Sequence, residues 1–403
     1  MKIRTTRSLT ALTLAAGTAF ALAACAGGTP AGDTSAGSSA STEVESRVTL
    51  TYDGGLFVLD GSTLDLEADL PLAGFNRVNP AGDGRNVLVS TEEGFRVLDT
   101  ARGSSTDTEP KLTDLVFEAS KPGHVVRHGD KTILFADGTG DTTIYETDAL
   151  LDATDELPET ETIVSPEAHH GVSIELEDGT LLTTIGTPDS RTGVRALDAD
   201  RKEISRSEEC PSVHGEGTAA DEIAVFGCSD GVLVYADGVF TKVAAADVYG
   251  RTGNAYVSET SPIMIGDYNS DPDAEGSALT ALTLVDTEAK SSKVVELPDG
   301  VAYTWRDVAR TANDDALILG TDGSLHVLDV ETGEFTESYP VIDPWEGPAE
   351  WQDAHPALVV VDGTAYVTDP ATTSIHAVDV ATGTITATGE LTSAPIEIAV
   401  VTG

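Results

Sequence analysis

Four of the eight histidines in this 403-residue chain lie at similar distances upstream of an aspartate: His124 by 24 residues, His170 by 28, His214 by 23 and His355 by 24. Neutral imidazoles are zinc ligands, and three of them with a water or a carboxylate form the usual tetrahedral zinc environment. The spacing of His124, His170 and His214 predicts one zinc site, provided the fold brings the same phase of consecutive units together. His128, four residues after His124, is placed on the same face of a strand and offers a fourth nitrogen, or only closes the turn before Gly129. His169 and His170 point in opposite directions on an extended chain, so one of the two faces the site, with His170 preferred. Glu216, Glu167 and Asp353 are candidate carboxylate ligands or groups that orient an imidazole. Three imidazoles and a water also describe a catalytic zinc, and such an enzyme would need a general base, for which Glu216 is placed. His326 and His376 fall in outer hairpin strands and read as structural.

The elements that must position these residues repeat. Val87 to Asp99, Ala316 to Asp329 and Ala365 to Asp379 share one design: an apolar strand, a turn, and a second apolar strand ending in an acid. That closing acid can be followed as Asp60, Asp99, Asp148, Asp198, Asp237, Asp286, Asp329 and Asp379, with gaps of 39 to 50 residues. Such a period matches a four-stranded propeller blade. Asp148 and Asp237 fit the pattern least well. The first unit has a hairpin with no strand before it, and Pro395 to Val401 is a strand with no hairpin after it. Joined, they complete one blade from both termini and leave no open sheet edge. The prediction is all-β: a single β-propeller over residues 47–403, eight-bladed with seven as the alternative, closed by pairing of the N- and C-terminal strands.

Composition limits the function. Asp and Glu number 68 against 23 Lys and Arg, a formal charge of −45 that repels phosphate backbones and excludes nucleic acid as a partner. Residues 1–24 read as a secretion signal, with Lys2, Arg4 and Arg7 before an apolar stretch too short to span a membrane. Leu22-Ala23-Ala24-Cys25 resembles a bacterial lipobox, which makes Cys25 the lipidated first residue of the mature chain. A Gly/Ser/Thr-rich tether then covers 25–46. Loss of residues 1–24 removes three bases and no acids, so the charge becomes −48. Cys210 and Cys228 are the remaining cysteines, 18 residues apart, and either close a disulfide in an oxidising compartment or serve as metal thiolates. Asp267 to Glu275 has acidic richness without calcium-loop spacing and reads as a solvated loop. Trp345 and Trp351 read as aromatic packing at the start of the last blade.

Pro122-Gly123-His124-Val125-Val126-Arg127-His128, Ala168-His169-His170-Gly171-Val172, Cys210-Pro211-Ser212-Val213-His214-Gly215-Glu216 with Gly227-Cys228, Trp305-Arg306, and the closing stretch Asp362 to Asp379 together resemble the AztD-type zinc metallochaperones. The resemblance implies a propeller that binds zinc outside the cytoplasm and passes it to an AztC-like solute-binding protein of a zinc ABC importer. It also implies that Cys210 and Cys228 are bonded to each other. A histidine-rich loop of many relatives would fall near 101–113, and this chain has no histidine there, so a capture arm of that kind is not expected. The lipobox implies anchoring through Cys25 to the outer face of the cell membrane, and the chain is expected to be a monomer. The expected function is that of a zinc metallochaperone and not an enzyme. Its rivals are a zinc-dependent hydrolase on a propeller scaffold and a metal-free interaction scaffold. Quinoprotein dehydrogenases, which join eight blades through a recurring Trp motif, are excluded by a count of three Trp.

Overall fold

The apolar doublets and triplets of the repeat become strands buried on both faces, because each blade is sandwiched between its neighbours. Asn86–Ser90 and Ala316–Leu319 are buried at every position. The outermost strands, such as Glu334–Pro340 and Thr384–Glu390, are largely exposed and carry the polar residues. The computed structural model describes residues 46–103, 109–274 and 277–402, and among these there are eight sheets. Each is a meander of four antiparallel strands, with a short segment, Gly250–Arg251, added in parallel to the fifth. Apolar clusters fill the spaces between blades, as where Val126 and Ile133 meet Val172 and Leu182. The architecture is the expected β-propeller, and the number of blades is eight, not seven.

The innermost strands, in order from the blade that holds the N-terminal hairpin, are Ile398–Val401, Val78–Pro80, Pro122–His128, Ser173–Glu175, His214–Ala219, Ala255–Tyr256, Val308–Arg310 and Leu358–Val361. Closure is by both termini. Ile398–Val401 pairs antiparallel with Arg47–Leu50, in the register Arg47 to Val401 and Leu50 to Ile398. Arg306 ties the seam to the seventh blade, donating to the Ile396 carbonyl at 2.8 Å and to Glu397 Oε1 at 2.5 Å.

The repeated aspartate has a local cause. At Asp60, Asp286 and Asp329 one carboxylate oxygen accepts the backbone N–H groups two and three residues on, at 2.7–3.0 Å, and so closes the turn into the outer strand. Asp148 and Asp237 depart from this for visible reasons. Asp148 lies in a 3-10 turn, Thr147–Leu150, and Asp237 takes a left-handed φ of 51°.

The signal segment 1–24, Cys25 and most of the 25–46 tether lie outside the described residues. Ser46 belongs to the propeller: it is buried, and its hydroxyl meets that of Tyr366 at 3.1 Å. Asp267, assigned to a solvated loop, is instead buried at the end of the strand Ile263–Tyr268, where it accepts N–H bonds from Gly253 and Asn254. The position is inward-facing on an apolar strand, and burial of its backbone partners draws the carboxylate in. Glu275 is outside the described residues.

Removing residues 398–403 is expected to destroy cooperative folding. Loss of buried Val400 and Val401 alone costs about 3–6 kcal/mol, against a total of roughly 5–15 for a typical domain, and it also opens a sheet edge. A thermal melt followed by far-UV circular dichroism checks this; a truncated chain that melts like the full one would contradict closure by the C-terminal strand.

Candidate metal centre

Every innermost strand begins at the same mouth of the channel, so residues within three positions of its start gather in one ring. Around the ring these are Glu397, Arg77, His124, His170, His214, Asn254, Arg306 and, from the eighth blade, the segment following His355. A cavity of about 740 Å³ lies inside, lined by His124, His170, His214, Glu216, Trp305 and Trp351 among others. The common phase of the histidines is the start of the innermost strand.

His124, His170 and His214 form a nearly equilateral triangle, with ring centroids 5.0–5.1 Å apart. One ring nitrogen from each lies within 4.8 Å of the others. Two of the three sit at β-bulges, which re-aim a side chain relative to a regular strand. His124 falls in the irregular pairing between Pro122 and Val125, and His214 opens the one between His214 and Glu216. Gly215 supplies the second bulge with a φ of 66°, and a Cβ there would lie 2.6 Å from the Gly253 carbonyl oxygen.

The outward nitrogens of the trio are all occupied. His124 Nδ1 donates to the Gly171 carbonyl at 2.8 Å, His170 Nδ1 donates to Asp137 Oδ2 at 2.6 Å, and His214 Nδ1 donates to the Gly253 carbonyl. Each bond places the proton on Nδ1 and leaves the Nε2 lone pair free to face the other two rings. Burial holds the His124 imidazole well below its ordinary basicity, with further lowering from His214 and His170. Burial likewise pulls His214 down to about 3, against the raising effect of its bond to Gly253. Both rings are therefore neutral at pH 7, the form a metal needs. Cys210 and Cys228 are joined by a buried disulfide that flanks His214 in sequence.

The remaining candidates fall elsewhere. His169 is buried between blades, donating to the Glu167 carbonyl at 3.0 Å and meeting Thr184 Oγ1 at 3.1 Å. A Cβ on Gly186 would lie 2.6–2.9 Å from its atoms, so the glycine makes its room and His170 takes the channel side. His128 is not with the trio, which corrects its reading as a fourth ligand. Four residues of extended strand span about 13 Å, and the bulge at His124 breaks the period of two. It is buried, donates Nε2–H to Glu222 at 2.8 Å, and accepts the Thr218 hydroxyl at 2.9 Å. Glu216 lines the cavity but stands outside the histidine cluster, and burial pushes its carboxyl up to about 7. His355 is buried beside Trp345, donating to the Asp353 carbonyl, and burial lowers it to about 4. Glu167 and Asp353 use backbone carbonyls on histidines outside the trio, so Asp137 is the one carboxylate among the described residues that orients a trio imidazole. His326 meets Asp322, and His376 meets Ser374 and Thr388, within their hairpins.

Residue-by-residue reading of the sequence missed Asp137, Arg77, Arg191, Arg251 and Glu397, all at this mouth. Arg77 stood at the right phase, 22 residues before Asp99. The others come from hairpin tips, from the segment between the fifth and sixth blades and from the start of the last strand, where the repeat carries no marker.

The chain is 29% identical over 286 residues to a curated protein, the zinc chaperone AztD of Citrobacter koseri. The match takes in 67% of this chain and 63% of that protein, so the chain spans just under two thirds of the relative's length. No protein-family model matches. Two crystal structures of Citrobacter koseri AztD, one of them the apo form, superpose with TM-scores of 0.73 at 23% identity. They cover 90% and 89% of this chain and 99% and 98% of theirs. The computationally designed protein Ika8 shares the architecture, with a TM-score of 0.53 at 13% identity over 86% of this chain and 93% of its own. The AztD likeness read from the sequence is thus found in both sequence and fold.

Two outcomes follow from the site. Asp137→Ala is expected to weaken zinc binding about 10- to 100-fold without shifting the metal-free melting temperature by more than a few degrees, as checked by competition with a chelating dye. The second concerns acid. Unfolded, His214 takes up its proton near 6.5, and folded only near 3. Between those values the unfolded chain binds more protons, so the stability of the metal-free protein falls as pH falls. His214→Gln is expected to show a shallower loss of melting temperature from pH 7 to pH 5 than the parent; equal slopes would contradict a depressed His214.

Proposed function

We propose that this chain is an extracytoplasmic zinc metallochaperone. It holds one Zn²⁺ on His124, His170 and His214 and delivers it to an AztC-like solute-binding protein of a zinc ABC importer. It acts as a monomer, is not an enzyme, and is anchored through lipid on Cys25 to the outer face of the cell membrane. The observation that carries this reading is three clustered imidazoles, one ring nitrogen of each within 4.8 Å of the others, whose Nδ1 atoms are all held by protein acceptors so that Nε2 is the nitrogen left for a metal. The name of its relative, zinc chaperone, points the same way.

Three nitrogens fill three of four tetrahedral positions, and the fourth faces an open channel mouth. An incoming ligand can therefore bind before the metal leaves. Net transfer needs only that the acceptor bind more tightly, about 1.4 kcal/mol for each factor of ten.

A zinc hydrolase is the second reading, and one observation favours it: Glu216, raised to about 7, lines the cavity as a general base would. One experiment tests both. The soluble form lacking residues 1–25 is equilibrated with zinc, analysed for bound metal, and mixed with an AztC-like protein or with a chelator as control. About one zinc per chain is expected, lost in His214→Ala, with withdrawal by the protein acceptor faster than by the chelator. Absence of bound zinc sinks both readings; equal withdrawal rates sink the transfer step; ester hydrolysis abolished by Glu216→Gln would establish the enzyme instead.

A further inference from the structure

The cavity around the trio is lined by four arginines, Arg77, Arg191, Arg251 and Arg306, in a chain whose acids outnumber its bases 68 to 23. Two of them share one carboxylate. Arg306 is held on Glu397 Oε1 at 2.5 Å, and Arg77 lies 3.8 Å from the other oxygen of the same carboxylate. Both stack over Trp305, at 5.0 and 5.2 Å.

Arg191 and Arg251 differ. Among the described residues neither has a carboxylate within ion-pairing distance; Arg251 donates to the Ser212 carbonyl at 3.3 Å, and a buried Nη1 of Arg191 has no hydrogen-bond partner at all. Their charges press on each other and on the His214 ring, and each is partly offset at longer range, Arg191 by Asp137 and Arg251 by the buried Asp267. Two cations without a direct ion pair beside a site for a divalent cation oppose metal binding by repulsion. The arrangement becomes favourable when an anion joins the metal. A carboxylate matches it best, because guanidinium groups take carboxylates through paired, charge-assisted hydrogen bonds and one oxygen can remain on zinc. The trio leaves one coordination position, and these arginines line the same cavity as the trio.

We infer that Arg191 and Arg251 form a carboxylate subsite that holds an exogenous carboxylate as the fourth ligand of the metal on His124, His170 and His214. This rests on the proposed zinc site and names the class of ligand that completes it. The carboxylate is either a small molecule or an Asp or Glu side chain of the protein that receives the metal; the recognition chemistry is the same.

Cobalt(II) is the probe, since its visible absorption reports the ligands around it. The cobalt-loaded protein is titrated with acetate, with acetamide as the neutral control, and with an end-blocked peptide containing a single glutamate. Acetate or the peptide is expected to change the cobalt spectrum saturably, and acetamide to leave it unchanged. Arg191→Gln and Arg251→Gln are each expected to raise the carboxylate midpoint about 10- to 100-fold and, in carboxylate-free buffer, to tighten cobalt binding. A purely structural role would weaken both together, and that result overturns the proposal, as do unchanged midpoints or a spectrum indifferent to carboxylate. A peptide midpoint below that of acetate assigns the subsite to a protein side chain, and the reverse assigns it to a small carboxylate. Failure of the parent protein to bind cobalt removes the zinc site itself, whereas cobalt binding without a carboxylate response removes the subsite alone.

Discussion

Pairing of Ile398–Val401 with Arg47–Leu50 is the contact on which the geometry of the channel depends. His124, His170 and His214 come from three blades, and direct bonds join the first two, His124 to the Gly171 carbonyl and His170 to Asp137. Their separation is set by the angular spacing of blades around a ring, and that spacing is fixed only when the ring is shut. Each blade buries its faces against two others, so a seam left open would let every wedge relax and the triangle widen. The clamp of Arg306 across the seam, from the seventh blade to Glu397, belongs to the same mouth as the histidines. Closure and site are parts of one structure.

Within that frame the sheet ends do the aiming. Regular strands alternate their side chains and cannot by themselves turn three imidazole edges toward one point. The bulges at His124 and Gly215 break the alternation, and the two carbonyls and one carboxylate behind the rings choose the tautomer. The interior of the channel mouth is polar in an unusual sense. The molecule carries a large acid excess, yet its cavity gathers imidazoles and arginines. The acids create a long-range attraction for cations, screened over about 8 Å in physiological salt, and the cavity replaces it with directed lone pairs.

The architecture was legible in the sequence because a propeller repeats its local chemistry. Apolar runs for doubly buried strands and an aspartate for each turn recur at a fixed interval, and the histidines could be read against that interval. What was not legible depends on departures from regularity. The same-face argument for His128 assumed an unbroken strand and ignored its length. The choice between His169 and His170 turned on the space left by Gly186, a residue of another strand. Asp137, Arg191 and Arg251 reach the site from hairpin tips and linkers whose phase the repeat does not mark. Asp267 read as loop because its neighbours in sequence are acidic, although its neighbours in space are buried amides.

The aspartates that mark the repeat divide the negative charge of this protein into two kinds. At Asp60, Asp286 and Asp329 the carboxylate is bound to amide hydrogens of its own turn, so its charge is partly spent on holding backbone. The acids of the outer strands, such as Glu334 and Glu337, have no such duty and face water. An engineer wishing to make the surface less acidic would therefore find the outer strands permissive and the turn aspartates costly. A sequence drifting under relaxed selection for charge would be expected to keep the second set longest, so the period of the fold would outlast the acidity that first drew attention to it.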